Sequence, residues 1–121
     1  PVVLIRLNYS VEFRYGVPVD IAGKVMRGEP IDVSMGYVNV IWQSDAINQI
    51  VQTLRLAQAP AVPINITGPE TVAVRALAQR FGELFGREPI LVGKEAETAW
   101  LSNASRSHQL FGRPYRHYLS P

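Results

Sequence analysis

The residues of this chain that could do chemistry cluster where apolar segments end. Arg6 and Asn8 close the run Pro1-Val2-Val3-Leu4-Ile5-Arg6-Leu7-Asn8. A guanidinium and an amide at the C-terminal end of a parallel strand stand where open α/β sheets bind their ligands. The same two residues can instead pair a carboxylate and cap a turn. Tyr9, Glu12, Arg14 and Tyr15 follow as a polar, aromatic loop, and loops at strand ends often carry specificity. Asn65 ends another apolar segment just before Thr67-Gly68. Asn and Gly are default turn residues, so this reads as a hydrogen-bonded turn, with a wall of the ligand crevice as the alternative. Ahead of a long helix, Trp42 reads as core and Asp45 as an N-cap. His108 and His117 have no second ligand beside them at metal spacing and read as surface residues. Arg75, Arg80 and Arg87 read as a solvated helix face.

Composition narrows the chemistry further. The chain has 121 residues, 47% of them apolar, which suits one domain with a real core. It has no cysteine, so disulfides, thiolate catalysis and Cys-based zinc sites are excluded. A formal charge of +2 with no basic stripe argues against nucleic acid. The uncharged stretch Met35 to Ser44 is far too short to cross a membrane. A cytoplasmic location is the default expectation.

The elements that must position these residues follow from periodicity. Val2 to Leu7 is a strand apolar on both faces, the signature of a strand buried inside a sheet covered from both sides. Asn8 to Val19 reads as a loop. Asp20 to Arg27 is a helix with Asp20 as its cap and Gly28 as its stop. Ile31 to Met35 and Tyr37 to Trp42 alternate and read as a pair of strands outside the main sheet. Ser44 or Asp45 caps an amphipathic helix to about Gln58. Its inward stripe is Ile47, Ile50, Val51 and Leu54, and its outward side is Asn48, Gln49, Gln52 and Arg55. Val62 to Thr67 is a strand. The next helix runs from Thr71 or Ala73 to Phe85, with Val74, Leu77, Ala78, Phe81 and Phe85 inward and Gly86 as its stop. Pro89 to Val92 is a short strand, and Ser102 caps a last helix from Asn103 to Phe111. Tyr115 to Pro121 reads as a loose end. Alternating strands and helices define an α/β layer architecture with parallel strands.

Taken together these segments resemble the NAD-dependent epimerase/dehydratase family, the extended short-chain dehydrogenase/reductases. The match lies in Val3-Leu4-Ile5-Arg6-Leu7-Asn8 and in Gly28-Glu29-Pro30-Ile31 followed by Gly36 and Asp45-Ala46. It continues in Asn65-Ile66-Thr67-Gly68 before Val74-Arg75-Ala76-Leu77-Ala78, and in Ser105-Arg106 with Leu110-Phe111-Gly112-Arg113-Pro114. The resemblance covers essentially the whole chain in order. It implies the C-terminal part of a Rossmann-type extended short-chain dehydrogenase/reductase: two sheet strands plus small β-β/α substrate-domain elements, as a single fragment over residues 1–121. It implies substrate contacts from Arg6, Asn8, Tyr9, Arg14, Tyr15 and Gln43, and cofactor contacts from Leu7 and Asn8. It implies NAD or NADP in the parent protein, held by an N-terminal Rossmann half, and none bound to this chain alone.

The family's glycine-rich dinucleotide turn and its Tyr-x-x-x-Lys pair do not occur in this sequence. Lys24 and Lys94 are its only lysines, and neither follows a Tyr at that spacing. A hydride-transfer enzyme needs such an acid/base at the nicotinamide, so the chain is expected to be catalytically silent alone. Where members acting on nucleotide sugars place a phosphate-binding Arg after the Gly36 turn, this chain has Val38. Where they place a substrate Asn, it has Tyr9. A smaller carbonyl or alcohol substrate, or a non-catalytic cofactor-sensing or protein-interaction role, follows from these departures. Strand edges without sheet neighbours are expected to drive homo-oligomers. No nucleic-acid or membrane partner is expected.

Overall fold

The computed structural model describes residues 1–99 and 101–114. The expected loose end from Tyr115 to Pro121, with His117, lies outside the described residues. In chain order the elements are β1 (Val3–Leu7), β2 (Ser10–Val11), α1 (Val17–Arg27), β3 (Pro30–Asp32), β4 (Tyr37–Asn39), β5 (Ile41–Trp42) and α2 (Gln43–Gln52). A 3-10 turn (Thr53–Leu56) follows, then β6 (Val62–Ile66), β7 (Thr71–Ala73), α3 (Val74–Phe85), β8 (Ile90–Val92) and α4 (Ser105–Phe111). The chain divides into two compact units.

The first unit comprises Pro1–Ser10, Asn39–Glu70 and the described residues from Ser102 onward. Its centre is a parallel pair, β1 beside β6, in the register Val3↔Val62, Ile5↔Ile64 and Leu7↔Ile66. Ile66, Ile41 and Ala46 form its core, with Ile50 packed against them. Gly68 lies so close to the backbone of Val40 that a Cβ there would strike the Val40 carbonyl oxygen.

Val2 to Leu7 forms the expected strand, and Val2, Leu4, Ile5 and Leu7 are exposed, as expected of such a strand without the larger sheet. Among the described residues β1 pairs with β6 alone, so no sheet layer covers it. Several expectations fail in this unit. The first long helix keeps Ile50 inward, as expected, but is rotated about its axis. Ile47, Val51 and Leu54 are 51%, 60% and 73% exposed, while Asp45, Ala46 and Gln49 are buried. Small Ala46 and half-buried Ile50 fit the core that Ile41 and Ile66 offer, and the face they select carries Asp45 and Gln49 inward. The buried Asp45 Oδ2 and Gln49 Oε1 have no hydrogen-bond partner. Asp45 is therefore not the cap; the cap position is Trp42, with extended backbone and no side-chain hydrogen bond. Nor does Ser102 cap α4. Its N–H donates to Asn39 Oδ1 at 2.8 Å, and Asn103 Oδ1 receives the Ser105 N–H at 2.9 Å.

The second unit comprises Val11–Val38 and Thr71–Leu101. Here α1 packs against α3 and β3, over buried Ile21, Val25, Ile31, Leu77 and Ala78. The helix begins at Val17, earlier than Asp20, because Pro18 fits the first helical turn and Gly16 supplies the entry at φ 111°. Asp20 sits in the first turn, donating its N–H to the Gly16 carbonyl at 3.0 Å. Gly28 and Gly86 end their helices in the left-handed conformation, as expected. The two alternating segments do not pair with each other. β3 runs parallel to β8, with Ile31 opposite Leu91, and β4 pairs with β7. Asp32 Oδ1 accepts the Ser34 N–H at 2.8 Å, so the chain turns after Asp32 and parts the two segments.

Candidate functional site

In the first unit, the C-terminal ends of β1 and β6 carry a connected set of polar groups. The parallel ladder continues one residue beyond β1: Asn8 N–H donates to the Ile66 carbonyl at 3.1 Å. Thr67 Oγ1 donates to the Asn8 carbonyl at 3.0 Å, and Thr67 is fully buried. The Thr67 carbonyl lies 2.9 Å from His108 Nε2 on α4. A carbonyl only accepts, so Nε2 carries a hydrogen. His108 is thus a tie between α4 and the strand end rather than the surface residue expected.

Tyr9 follows with φ 45°, the one non-glycine residue with positive φ among those described. A left-handed backbone costs a bulky residue about 1–2 kcal/mol. The bond from Ile41 N–H to the Tyr9 carbonyl, 3.2 Å, helps hold it there. Such strain at a strand's C-terminal end is a feature that functional sites retain. Arg6 is in register with Asn65, so the two side chains share a sheet face. Arg6 is exposed and has no ion-pair partner among the described residues. Asn65 lies in β6, within the expected strand, and its Nδ2 donates to the Asn103 carbonyl at 2.9 Å. Leu7 is exposed opposite Ile66. Gln43 opens α2 in this unit.

The strand end thus brings Arg6, Leu7, Asn8 and Tyr9 together. Arg14 and Tyr15 belong to the second unit, in a turn closed by Glu12 N–H to the Tyr15 carbonyl at 3.2 Å. There Arg14 Nε donates to Glu12 Oε1 at 2.7 Å. That bond and the carboxylate's charge raise the guanidinium's pKa further. The second unit also holds two open clefts, of about 410 Å³ beside Gly82 and Pro89 and about 210 Å³ between Tyr37, Arg75 and Glu95. Neither is lined by a residue singled out above as a ligand contact. Arg75 Nε donates to Glu95 Oε1 at 2.8 Å, and this bond lowers the Glu95 pKa below the usual carboxylate range. Sequence reasoning missed Thr67 and His108 as site residues. Thr67 directly precedes a glycine at a strand end, and that was the available signal.

The strand end offers the exposed Arg6 guanidinium, without an ion-pair partner among the described residues, and the exposed Tyr9 phenol, which suits binding of a polar ligand. Among the described residues no group of three or more His, Asp or Glu could hold a metal ion, and no helix is long and apolar enough to cross a membrane. The residues present do not form a dinucleotide cradle. The four helices start after Gly16, Trp42, Ala73 and Ala104, and none is entered through a Gly-x-Gly turn.

No protein-family model matches the chain, and a search of curated proteins finds no match. Solved structures do match. The chain is similar to UDP-glucuronic acid 4-epimerase from Bacillus cereus in complex with UDP-glucuronic acid and NAD, with TM-score 0.70 and 17% identity over 97% of this chain and 41% of that one. It is similar to MoeE5 in complex with UDP-glucose and NAD, with TM-score 0.66 and 16% identity over 95% of this chain and 42% of that one. It is also similar to a UDP-galactose 4-epimerase, with TM-score 0.63 and 21% identity over 93% of this chain and 39% of that one. The fold is therefore the α/β fold of part of an extended short-chain dehydrogenase/reductase. The chain spans about two fifths of the length of the structures it matches.

Proposed function

We propose that this chain is the C-terminal, substrate-binding portion of an NAD(P)-dependent, cytoplasmic oxidoreductase or isomerase of the epimerase/dehydratase type. The observation that carries this reading is the match of nearly the whole chain to about two fifths of enzymes solved with NAD and UDP-sugars. In this reading Arg6, Asn8, Tyr9, Arg14, Tyr15 and Gln43 contact the substrate, and Leu7 and Asn8 also meet the cofactor. The exposed, unpaired Arg6 supports an anionic or strongly polar substrate. The dinucleotide cradle and the Tyr/Lys acid/base pair belong to an N-terminal Rossmann half, and the 121-residue chain alone neither binds the cofactor nor turns over substrate.

Buried Val38 favours a second reading. A valine closed into the core cannot hold a pyrophosphate, which suits a substrate smaller than a nucleotide sugar or a non-catalytic module that senses a cofactor or a partner. Both readings are tested by sequencing the gene upstream of Pro1 and titrating its whole product with NAD and NADP by calorimetry. One dinucleotide per chain, together with an upstream Tyr-x-x-x-Lys, supports the enzyme. Binding without that pair supports the sensing module, and no dinucleotide binding removes the enzyme reading.

A further inference from the structure

Tyr9 keeps a left-handed backbone, φ 45°, without the freedom of a glycine. Its carbonyl accepts the Ile41 N–H at 3.2 Å. Ile41 closes a short segment, Asn39-Val40-Ile41, whose three residues are all buried. Three contacts fix that segment inside the first unit. Ile41 packs in the core with Ala46 and Ile66. The Val40 carbonyl lies against Gly68, where a Cβ would strike it. The third contact is polar. Asn39 Nδ2 donates to the Glu70 carbonyl at 3.4 Å, and Asn39 Oδ1 accepts the Ser102 N–H at 2.8 Å. These partners lie 31 and 63 residues away along the chain, so one amide joins three distant stretches of the unit.

A buried polar side chain is retained where its hydrogen bonds are made. An amide carries a donor and an acceptor on separate atoms, a carboxylate only acceptors, and an aliphatic side chain neither. Both atoms of the Asn39 amide are in use. We propose that Asn39 is a positioning residue for Tyr9. Its two bonds anchor the segment whose Ile41 N–H holds the Tyr9 backbone left-handed. Asn39 acts through Ile41 and not by touching a ligand. When the segment loosens, the Tyr9 carbonyl loses this donor, and the backbone relaxes towards negative φ, the conformation a bulky residue prefers. The phenol then points elsewhere. This inference rests on the proposed function only in taking Tyr9 as a ligand contact. No dinucleotide or sugar enters its test, so it can fail while the enzyme reading stands, and stand while that reading fails.

The test is hydrogen exchange at single amides of the full-length protein, read by mass spectrometry. The rate at Ile41 is referred to that at Ile64, a buried residue of β6 opposite Ile5. Asn39→Leu nearly keeps the volume and removes both bonds. It is expected to speed exchange at Ile41 roughly tenfold relative to Ile64, the scale set by a net hydrogen bond. Asn39→Asp still accepts the Ser102 N–H and is expected to keep most of the protection. Asn39→Ser, too short to reach both partners, carries the same test where Asn39→Leu does not fold. Backbone strain gives a second readout. Glycine adopts φ 45° freely, so Tyr9→Gly added to Asn39→Leu is expected to return Ile41 towards the parent rate. Tyr9→Ala, still strained, is expected not to. Equal acceleration at Ile41 and Ile64 overturns the proposal, because it reports general destabilisation of the unit. So does an unchanged rate at Ile41, an Asn39→Asp chain no better protected than Asn39→Leu, or a Tyr9→Gly chain that behaves like Tyr9→Ala.

Discussion

The rotated face of α2 and of the 3-10 turn that continues it (Thr53–Leu56) predicts an outcome opposite to the one the segment's periodicity implies. By pattern, Leu54 belongs to the inward stripe and its truncation to Ala should be costly. In the structure Leu54 is 73% exposed, and Ile66 is fully buried against Ile41 and Ala46. Burying a whole Leu side chain is worth about 1.5–3 kcal/mol. Roughly a quarter of that is realised at Leu54, so Leu54→Ala is expected to cost about 0.5 kcal/mol. Ile66→Ala removes the same bulk from a closed site and is expected to cost about 2–5 kcal/mol, the transfer loss plus a cavity. For a domain near this size, 1 kcal/mol corresponds to roughly 3–6 °C in Tm. Thermal unfolding followed by circular dichroism at low protein concentration should therefore separate the two variants by several degrees. A Leu54→Ala loss above about 2 kcal/mol, with Ile66→Ala nearly neutral, would refute the orientation assigned to α2.

Three further outcomes are expected. Gly82→Ala gains about 1 kcal/mol of helix propensity, but the new Cβ would lie 2.5 Å from the Arg87 carbonyl oxygen and 2.8 Å from Pro89 Cδ. Overpacking of about 1–3 kcal/mol should win, lowering the urea midpoint at constant m; a raised midpoint would show that the Arg87–Pro89 loop yields. Thr67→Val removes the bond to the Asn8 carbonyl from a fully buried position and should cost about 1–3 kcal/mol in the same assay. The Glu95 carboxyl, held below its ordinary range by Arg75, binds its proton less readily folded than unfolded. Its contribution is present above the usual glutamate pKa and is lost as pH falls through the lowered folded value. Urea midpoints of Glu95→Gln, compared with the parent from neutral to acid pH, should show a shallower acid decline.

The parts of the fold legible in the sequence were those fixed by local chemistry. Gly28 and Gly86 stop their helices because each sits at positive φ, a conformation other residues avoid. β1, β6 and β8 were legible as runs of β-branched and aliphatic residues. The starts of α1, α2 and α4 were not, because no described helix carries a side-chain cap hydrogen bond, whereas α3 is capped at Ala73 as read. Asp20, Asp45 and Ser102 are residues of the capping type, but Gly16, Trp42 and Ala104 hold the cap positions. Strand partners were misread for a related reason. Ile31 pairs with Leu91, far along the chain, while alternation within residues 31–42 suggested a local pair. Periodicity shows that a segment alternates, not what it lies beside.

The candidate site divides along the same line. Arg6, Asn8 and Tyr9 were legible because a strand's C-terminal end is a place, and the residues that end it can be named. Thr67 and His108 were not, since their bonds to Asn8 and to each other span long separations. The buried Asp45 and Gln49 show what the helix rotation costs. A buried acceptor left without a donor costs about 1–3 kcal/mol, and α2 carries two such atoms. A helix accepts that cost when the core it packs on fits Ala46 and Ile50 better than Ile47, Val51 and Leu54. The displaced apolar residues then remain on the surface of the first unit, as do the side chains of β1. Their exposure contributes little to the fold of the single chain, and it is released as soon as another surface covers them. Folding of this unit therefore does not draw on these side chains, so a substitution on β1 such as Ile5→Lys is expected to leave the core of Ile41, Ala46 and Ile66 intact.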